Sequence, residues 1–201
     1  MRRQNHLVIF LKAPRVGQVK TRLARDLGPV RAWMMYRRLC GTLIRRLGCS
    51  AVWRTWLYVS PDIYAKKGGF WPLNLPRHPQ GRGDLGGRMQ RAFDGLPPGP
   101  VVIVGGDIPD ICRADIRAAF DRLCTHDMVF GPAEDGGYWL VGMRRAPRIL
   151  RPFTGVRWST AQALRDTLVN LPAERQIAFL RTLNDIDESR DLRRREWPLT
   201  W

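Results

Sequence analysis

Short apolar runs, each ending in a glycine-rich or acidic loop, alternate along this chain with stretches of helical periodicity, and no other feature limits the possible folds as much. Leu7–Leu11 (LVIFL), Val52–Val59, Val101–Val104, Met128–Phe130, Tyr138–Met143 and Ala178–Leu183 are short, apolar and rich in branched side chains, which predicts strands. Between them, Thr21–Leu27, Arg31–Leu47, Asp84–Phe93 and Ala114–Leu123 carry helical patterns, with Met34, Met35, Leu39, Leu43, Ile44 and Leu47 on one stripe. A further helix is expected from a Ser159 cap to about Leu171, with Pro172 beyond its end. Pro61–Gln80 is rich in Pro and Gly and reads as loop, with room for a short strand near Trp71–Leu75. Strand–helix alternation of this kind builds βαβ units: an α/β fold of three layers, with helices on both faces of a mostly parallel sheet. Ligands of such sheets bind at the carboxyl ends of the strands, so chemistry is expected after Leu11, Val104 and Leu183.

The 201 residues suit one domain spanning 1–201, and a hydrophobic fraction of 44% with eight tryptophans argues for a packed core. No apolar run reaches the ~20 residues of a membrane span, and LVIFL is too short for a signal peptide's apolar region. A soluble cytoplasmic protein is the expectation. The four cysteines (Cys40, Cys49, Cys112, Cys124) lack metal or redox spacing, so buried free thiols are expected. His6, His78 and His126 lie in unrelated contexts and suggest no hydrolase triad. The net charge of +16 raises nucleic acid as a partner, but the arginines are dispersed in short runs and no nucleic-acid-binding motif accompanies them. A solvated arginine-rich surface accounts for the charge, and nucleic acid is not expected as the main partner.

Three loops could carry chemistry. KAPRVGQVKTRL holds two of the chain's four lysines, Lys12 and Lys20, together with Gly17 and Arg22. A glycine there lets backbone amides approach a ligand, and a helix starting near Lys20 would offer free N–H groups to phosphate. The spacing departs from a Walker A loop, and a solvated turn is the competing reading. Cations at a helix N-terminus are unfavourable unless an anion joins them, which counts against the plain turn. VVIVGGDIPD places Asp107 just past a buried strand, suited to a hard cation such as Mg²⁺ or to an ordinary turn; Asp110 reads as a turn or cap before a helix over Ile111–Leu123. In LNDIDESRDL, Asp185 and Asp187 point to one face of an extended chain, where two carboxylates repel unless they share a cation. The alternative is that Asp187 or Ser189 caps a final helix over Glu188–Glu196. DGG at Asp135–Gly137 is also a hairpin-turn signature, QGRGDLGGRM is glycine-dense, and Trp139 and Trp158 are the tryptophans placed beside these loops.

In order along the chain, KAPRVGQVKTRLARDLG, QGRGDLGGRMQRAF, GGDIPDI, GPAEDGGYWLVG, RWSTAQALRDTL and NDIDESRDL resemble the bacterial DUF2064 family, from about residue 7 to 192. That family is glycosyltransferase-A-like, within the nucleotide-diphospho-sugar transferase superfamily, and is similar to the phospholactate and phosphoenolpyruvate guanylyltransferases. The resemblance implies a Mg²⁺- or Mn²⁺-dependent transferase. It would use a nucleoside triphosphate or a nucleotide sugar with a small-molecule acceptor. The cationic first loop suits a triphosphate or pyrophosphate leaving group, which favours nucleotidyl transfer slightly; glycosyl transfer and binding without turnover are the alternatives. The resemblance further implies that Lys20 and Arg22 contact phosphates beside Lys12, Gly17 and Thr21. Asp107, Asp185 and Asp187 would hold the metal, Gly86 and Gly87 would lie near the base, and Asp135, Gly136 and Gly137 near the acceptor. Gly87 stands where the family usually has glutamate, and Gly106 where it usually has a small hydroxyl residue or threonine.

Overall fold

The computed structural model describes residues 4–67, 69–187 and 191. The elements run β1 (Asn5–Lys12), α1 (Leu23–Leu27), α2 (Pro29–Leu47), β2 (Trp53–Ser60), α3 (Ile63–Lys66), β3 (Arg77–Pro79) and α4 (Leu85–Gly95). Then follow β4 (Val101–Gly105), α5 (Arg113–Arg122), β5 (Met128–Pro132), β6 (Tyr138–Met143), α6 (Ala163–Val169) and β7 (Ile177–Phe179). The strands form one sheet of order β3-β2-β1-β4-β6-β5-β7. Every neighbouring pair is parallel except those involving β6, which runs antiparallel to both β4 and β5.

β1 lies between β2 and β4 and is covered on both faces, which is why its central residues Leu7–Leu11 are all apolar rather than alternating. Leu7, Ile9 and Leu11 pack with α2 and α5, through residues such as Leu43, Leu47, Ile116 and Phe120. Val8 faces the other way, among Met89 and Phe93 of α4, with Leu164 and Leu168 of α6 packed against the same cluster. α2 starts at Pro29, whose fixed φ suits the first helical position, and ends at Gly48, whose N–H donates to the Ile44 carbonyl at 2.7 Å. Its buried stripe, Ala32, Met35, Tyr36, Leu39, Cys40, Leu43 and Leu47, steps by three and four.

Several expectations shift. The short strand expected near Trp71–Leu75 lies instead at β3, where Leu57 pairs with Arg77 and Val59 with Pro79. Trp71 is buried against the core, so its apolar signal belonged to packing, and Pro79 is tolerated because β3 is a sheet edge. Ser159 caps no helix: its backbone is left-handed (φ 60°), and α6 begins after Gln162 and stops at Val169. The last strand ends at Phe179, although Leu180 and Leu183 still donate backbone hydrogen bonds to Phe130 and Pro132 beyond it. Cys49 and Cys124 are exposed, so only Cys40 is the fully buried thiol expected of all four. The expected helix over Glu188–Glu196 falls, apart from Asp191, outside the described residues.

α5 is capped by Cys112 rather than Asp110; the Cys112 N–H donates to Asp115 Oδ2 at 2.8 Å. Arg181 reaches the same carboxylate at 2.7 and 2.9 Å, joining the segment after β7 to α5. Burial alone would raise the Asp115 pKa, but the hydrogen bonds from Arg181 and Cys112 outweigh it and bring it below the usual value. A carboxyl with a depressed folded pKa stabilises the fold above its unfolded value of about 4, and that contribution disappears as pH falls through the folded value. Asp115→Asn is therefore expected to cost about 1–2 kcal/mol at pH 7 in urea denaturation, with the gap to wild type closing toward pH 3. An unchanged gap across that range would show that the charge is irrelevant.

Candidate functional site

The carboxyl ends of β1 and β4, the β5–β6 turn and the segment after β7 converge at one end of the strands. Asp107 follows β4 by two residues. Asp185 and Asp187 flank Ile186, which is fully buried with Leu23, Ala32, Met35 and Leu39 of α1 and α2. With Ile186 anchored inward, its two neighbours turn outward together, as period two requires. The same apolar cluster holds Leu23, three residues past Lys20, and so fixes the first loop against the acidic segment. One oxygen each from Asp107, Asp185 and Asp187 lies within 4.8 Å of the others.

Lys20 enters this cluster directly. Its ammonium lies 2.9 Å from Asp107 Oδ2, 2.8 Å from Asp187 Oδ1 and 3.7 Å from Asp185 Oδ2, and its side chain is only 4% exposed. Burial works against its charge, but Asp107 and Asp187 outweigh burial and hold its pKa above the usual lysine value. Arg22 stands outside, 63% exposed and 3.5 Å from Asp187. Asp185 is pushed up to about 6 by burial and then by the carboxylates of Asp107, Asp187 and Asp135, against the pull of Lys20. Three carboxylates around one ammonium leave an excess of negative charge, the condition under which a further cation is attracted.

Two cavities meet at this cluster, and Asp107 lines both. One, of about 320 Å³, is lined by Lys12, Gln18, Lys20, Thr21, Arg22 and Tyr36, with Asp107 and Asp187 opposite, so its cations exceed its carboxylates by one. The other, of about 250 Å³, is bounded by Asp135, Tyr138, Trp158, Ser159, Thr160 and Asp185. Its aromatic wall is held in place. Trp158 Nε1 donates to Asp84 Oδ2 at 3.2 Å, while Asp84 Oδ1 accepts the Gly87 N–H at 2.8 Å and so caps α4. A Cβ on Gly86 would fall 2.7 Å from the Trp158 ring and 2.8 Å from Phe153 Cβ, so only glycine lets the indole lie on α4. Gly136 turns the hairpin with φ 82°, and a Cβ there would meet the Ala161 carbonyl at 2.2 Å. Asp135 Oδ1 accepts the Gly137 N–H at 2.9 Å, and the Glu134 N–H donates to Asn184 Oδ1 at 3.1 Å, tying the hairpin to the acidic segment.

The structure thus brings together Lys12, Lys20, Thr21, Arg22, Asp107, Asp185 and Asp187 at one cavity and cluster. Asp135 and Gly137 line the second cavity with Asp107 and Asp185. Gly17 stands exposed in the loop with φ 74° and lines neither cavity. Gly86 and Gly87 lie at the start of α4, beneath Trp158 and at the Asp84 cap, which places them on the side of the second cavity. Tyr36, Tyr138 and Thr160 line the cavities without having been singled out by sequence, and Ser159, expected as a helix cap, lines the second cavity instead. Tyr36 sits on the buried stripe of α2, so periodicity marks it as core, yet its hydroxyl accepts the Lys12 N–H at 2.9 Å. Cys40 is one helical turn further on; burial pushes its thiol up to about 12, which leaves it unreactive.

A family described as an uncharacterized protein conserved in bacteria, DUF2064, matches residues 43–160, more than half of the chain. The chain belongs to the DUF2064 family. The matched stretch includes Gly86, Gly87, Asp107 and Asp135–Gly137 and leaves the lysine loop and the Asp185–Asp187 segment outside. A candidate nucleotide-diphospho-sugar transferase from Desulfovibrio desulfuricans G20 superposes with a TM-score of 0.83 at 30% identity, covering 92% of this chain and 82% of that one. The inositol-1-phosphate CTP transferase from T. maritima shares the fold at 11% identity, with a TM-score of 0.60 over 98% of this chain and 94% of that one. Rv0371c from Mycobacterium tuberculosis H37Rv, in a complex with manganese, shares it at 14% identity, with a TM-score of 0.56 and coverage of 95% and 97%. No curated protein matches. The fold of this DUF2064 member is the glycosyltransferase-A-like fold of the nucleotide-diphospho-sugar transferases. Among the described residues no helix is long and apolar enough to cross a membrane.

Proposed function

We propose that this DUF2064 protein is a divalent-metal-dependent transferase that uses a nucleotide donor in the cytoplasm, with residues 1–201 forming a single transferase domain. One observation carries the reading: a cationic cavity and an acidic, aromatic cavity meet at a three-carboxylate cluster, with Asp107 common to both. An all-oxygen donor set of this charge fits Mg²⁺ or Mn²⁺, and Asp107, Asp185 and Asp187 would hold the ion. The manganese complex of Rv0371c supports that choice. A bound divalent ion would supply charge neutralisation at phosphate oxygens.

The protein's own groups account for the rest. Lys12, Lys20, Thr21 and Arg22 line the cationic cavity and would bind the donor's phosphates, with Gly17 shaping the loop that presents them. Lys20 and Arg22 would stabilise charge developing on the leaving phosphate, catalysis by positioning and electrostatics. Asp135, Gly136 and Gly137 would shape the acceptor side, and Gly86 and Gly87 would act through the Trp158 seat. Three cationic side chains around one cavity suit the pyrophosphate released in nucleotidyl transfer, and the cytidylyltransferase relationship of the fold agrees. The aromatic wall of the second cavity favours the alternative, glycosyl transfer from a nucleotide sugar.

Thermal unfolding with a panel of nucleoside triphosphates and nucleotide sugars, with and without Mn²⁺, tests the reading. At a hundred times Kd a ligand adds about 2.7 kcal/mol, or roughly 5–10 °C for a domain of this size. A metal-dependent rise with at least one nucleotide is expected; no rise with any of them would overturn the nucleotide-donor reading.

A further inference from the structure

The arginines of this chain are dispersed, but its acids are not. Residues 1–83 hold 17 of the 34 lysines and arginines and two of the 18 acids, Asp26 and Asp62, and so carry +15 of the net +16. Sheet order turns this asymmetry in sequence into one in space. β3, β2 and β1 are consecutive in the sheet, and α2 packs on β1, so the basic segment forms one side of the molecule. Residues 188–201 hold four arginines and three acids and cannot offset it. On the basic side, arginines lie over aromatic rings: Arg15 over Tyr64, Arg37 over Trp33 and Arg54 over Trp56, at 5.7, 4.9 and 4.4 Å. Among the described residues Arg31, Arg37, Arg38 and Arg45 form no ion pair.

The buried stripe of α2 leaves Arg31, Met34, Arg38 and Arg45, in steps of three, four and seven, on its exposed face. A groove of about 580 Å³ separates this face from the segment before β3. α2 lines it with Met34, Arg37, Arg38 and Arg45, and Phe70 and Pro72 line it from across; among the described residues no Asp or Glu does. Gly41 also lines it, inside the helix, where a Cβ would meet the Arg45 guanidinium at 3.4 Å; the missing side chain leaves the helix backbone open to an occupant. Apolar side chains stand among these cations. Leu73, next to Pro72, is 90% exposed, and Met34 and Phe70 are 40% and 37% exposed. A nucleic-acid backbone would engage the arginines and leave Leu73 and Phe70 in water, whereas an anionic bilayer offers phosphates to the one set and hydrocarbon to the other.

We propose that this side of the protein docks on the surface of an anionic lipid bilayer, with Arg37, Arg38 and Arg45 on headgroup phosphates and Phe70 and Leu73 entering the acyl boundary. The protein lies on the membrane by this face, which needs no spanning helix. Pro14 lines the groove and Lys12, two residues earlier, lines the cationic cavity, so docking brings that cavity to the leaflet. The contact is independent of the transferase reading.

Vesicle flotation with the full chain tests it, comparing phosphatidylcholine alone with an equimolar mixture of phosphatidylcholine and phosphatidylglycerol. The wild-type protein is expected to bind the anionic vesicles at least tenfold more tightly, and less tightly as salt rises. A cation near an anionic leaflet strengthens binding about fivefold, so Arg38→Ala combined with Arg45→Ala should weaken it about 25-fold. Leu73→Ser should weaken it about tenfold, the loss of one buried leucine. Arg165→Ala combined with Val169→Ser changes an exposed cation and an exposed apolar residue on α6, in the other half of the fold, and should leave binding as it is. All three variants should melt as the wild type does. Equal binding to the two vesicles would overturn the proposal, as would an α6 variant weakened as much as the α2 variant. Tighter binding to duplex DNA than to anionic vesicles, with Leu73→Ser indifferent, would overturn it too and assign the face to nucleic acid.

Discussion

Lys20→Met is expected to reduce transfer activity about 10²–10³-fold, the cost of removing one preorganised charge-stabilising donor, while tightening the nucleotide-free protein's hold on Mn²⁺. The two effects have opposite signs because Lys20 holds two relationships at once. Its ammonium sits among Asp107, Asp185 and Asp187, at 2.8–3.7 Å, in the position a metal ligated by those oxygens would contest. A unit charge at about 4 Å is worth about 4 kcal/mol at an effective dielectric constant of 20, which bounds the repulsion the ammonium exerts on an incoming cation. Relaxation and proton uptake by the carboxylates absorb much of this, so roughly tenfold tighter binding, about 1.4 kcal/mol, is the expected gain at pH 8. With a donor bound as proposed, the ammonium would gain phosphate oxygens as partners, and its loss would be felt there as lost rate. Manganese titration followed by electron paramagnetic resonance reads the first effect, and initial rates with the donor found by thermal unfolding read the second. If manganese affinity fell together with activity, Lys20 would be holding the carboxylates in place rather than competing for them.

The parts of this arrangement visible in sequence are those that depend on local patterns. Val101–Val104 and Leu7–Leu11 read as strands because a strand covered on both faces must be apolar at every position. Asp185 and Asp187 read as a pair because alternation is a property of the extended backbone, and buried Ile186 between them reports the same fact from the other side. β3 was illegible at its true position: Arg77, His78 and Pro79 carry no apolar signal, and only pairing with the edge of β2 makes them a strand. Trp71, with the stronger local signal, is buried core instead. The left-handed backbone of Ser159 delays α6 in a way no residue-type preference announces. The resemblance places Gly86 near the base; its small size serves the Trp158 ring, a contact across 72 residues of chain that exists only once α4 and the Trp158 loop are packed. Tyr36 is core by periodicity and wall by position, since part of α2's buried stripe reaches the cavity at the carboxyl ends of β1 and β4.

Asp107→Asn should remove metal-dependent nucleotide stabilisation and lower turnover at least about 10³-fold, and the protein should still fold. Among the described residues Asp107 alone lines both cavities, so in the proposed reading it stands where donor and acceptor would meet. Asparagine keeps its size and one oxygen but takes away a full charge from a site whose function in this reading is to concentrate charge. Folding survives because Lys20 retains Asp187 at 2.8 Å and Asp185 at 3.7 Å, and removing one of three crowded carboxylates relieves repulsion as it removes a partner. Arg22→Ala provides the contrast. Its guanidinium is 63% exposed and 3.5 Å from Asp187, an ion pair of the kind worth about 0–1 kcal/mol, so metal binding should persist and donor affinity should weaken no more than about tenfold. Calorimetric titration with Mn²⁺ separates the two variants: no measurable heat for Asp107→Asn, near-wild-type binding for Arg22→Ala. If Asp107→Asn bound manganese like wild type, the ion would have to be held by Asp185 and Asp187 alone, and Asp107 would instead be reporting on the acceptor. That outcome would move the reacting centre toward Asp135 and Trp158, away from the lysine loop.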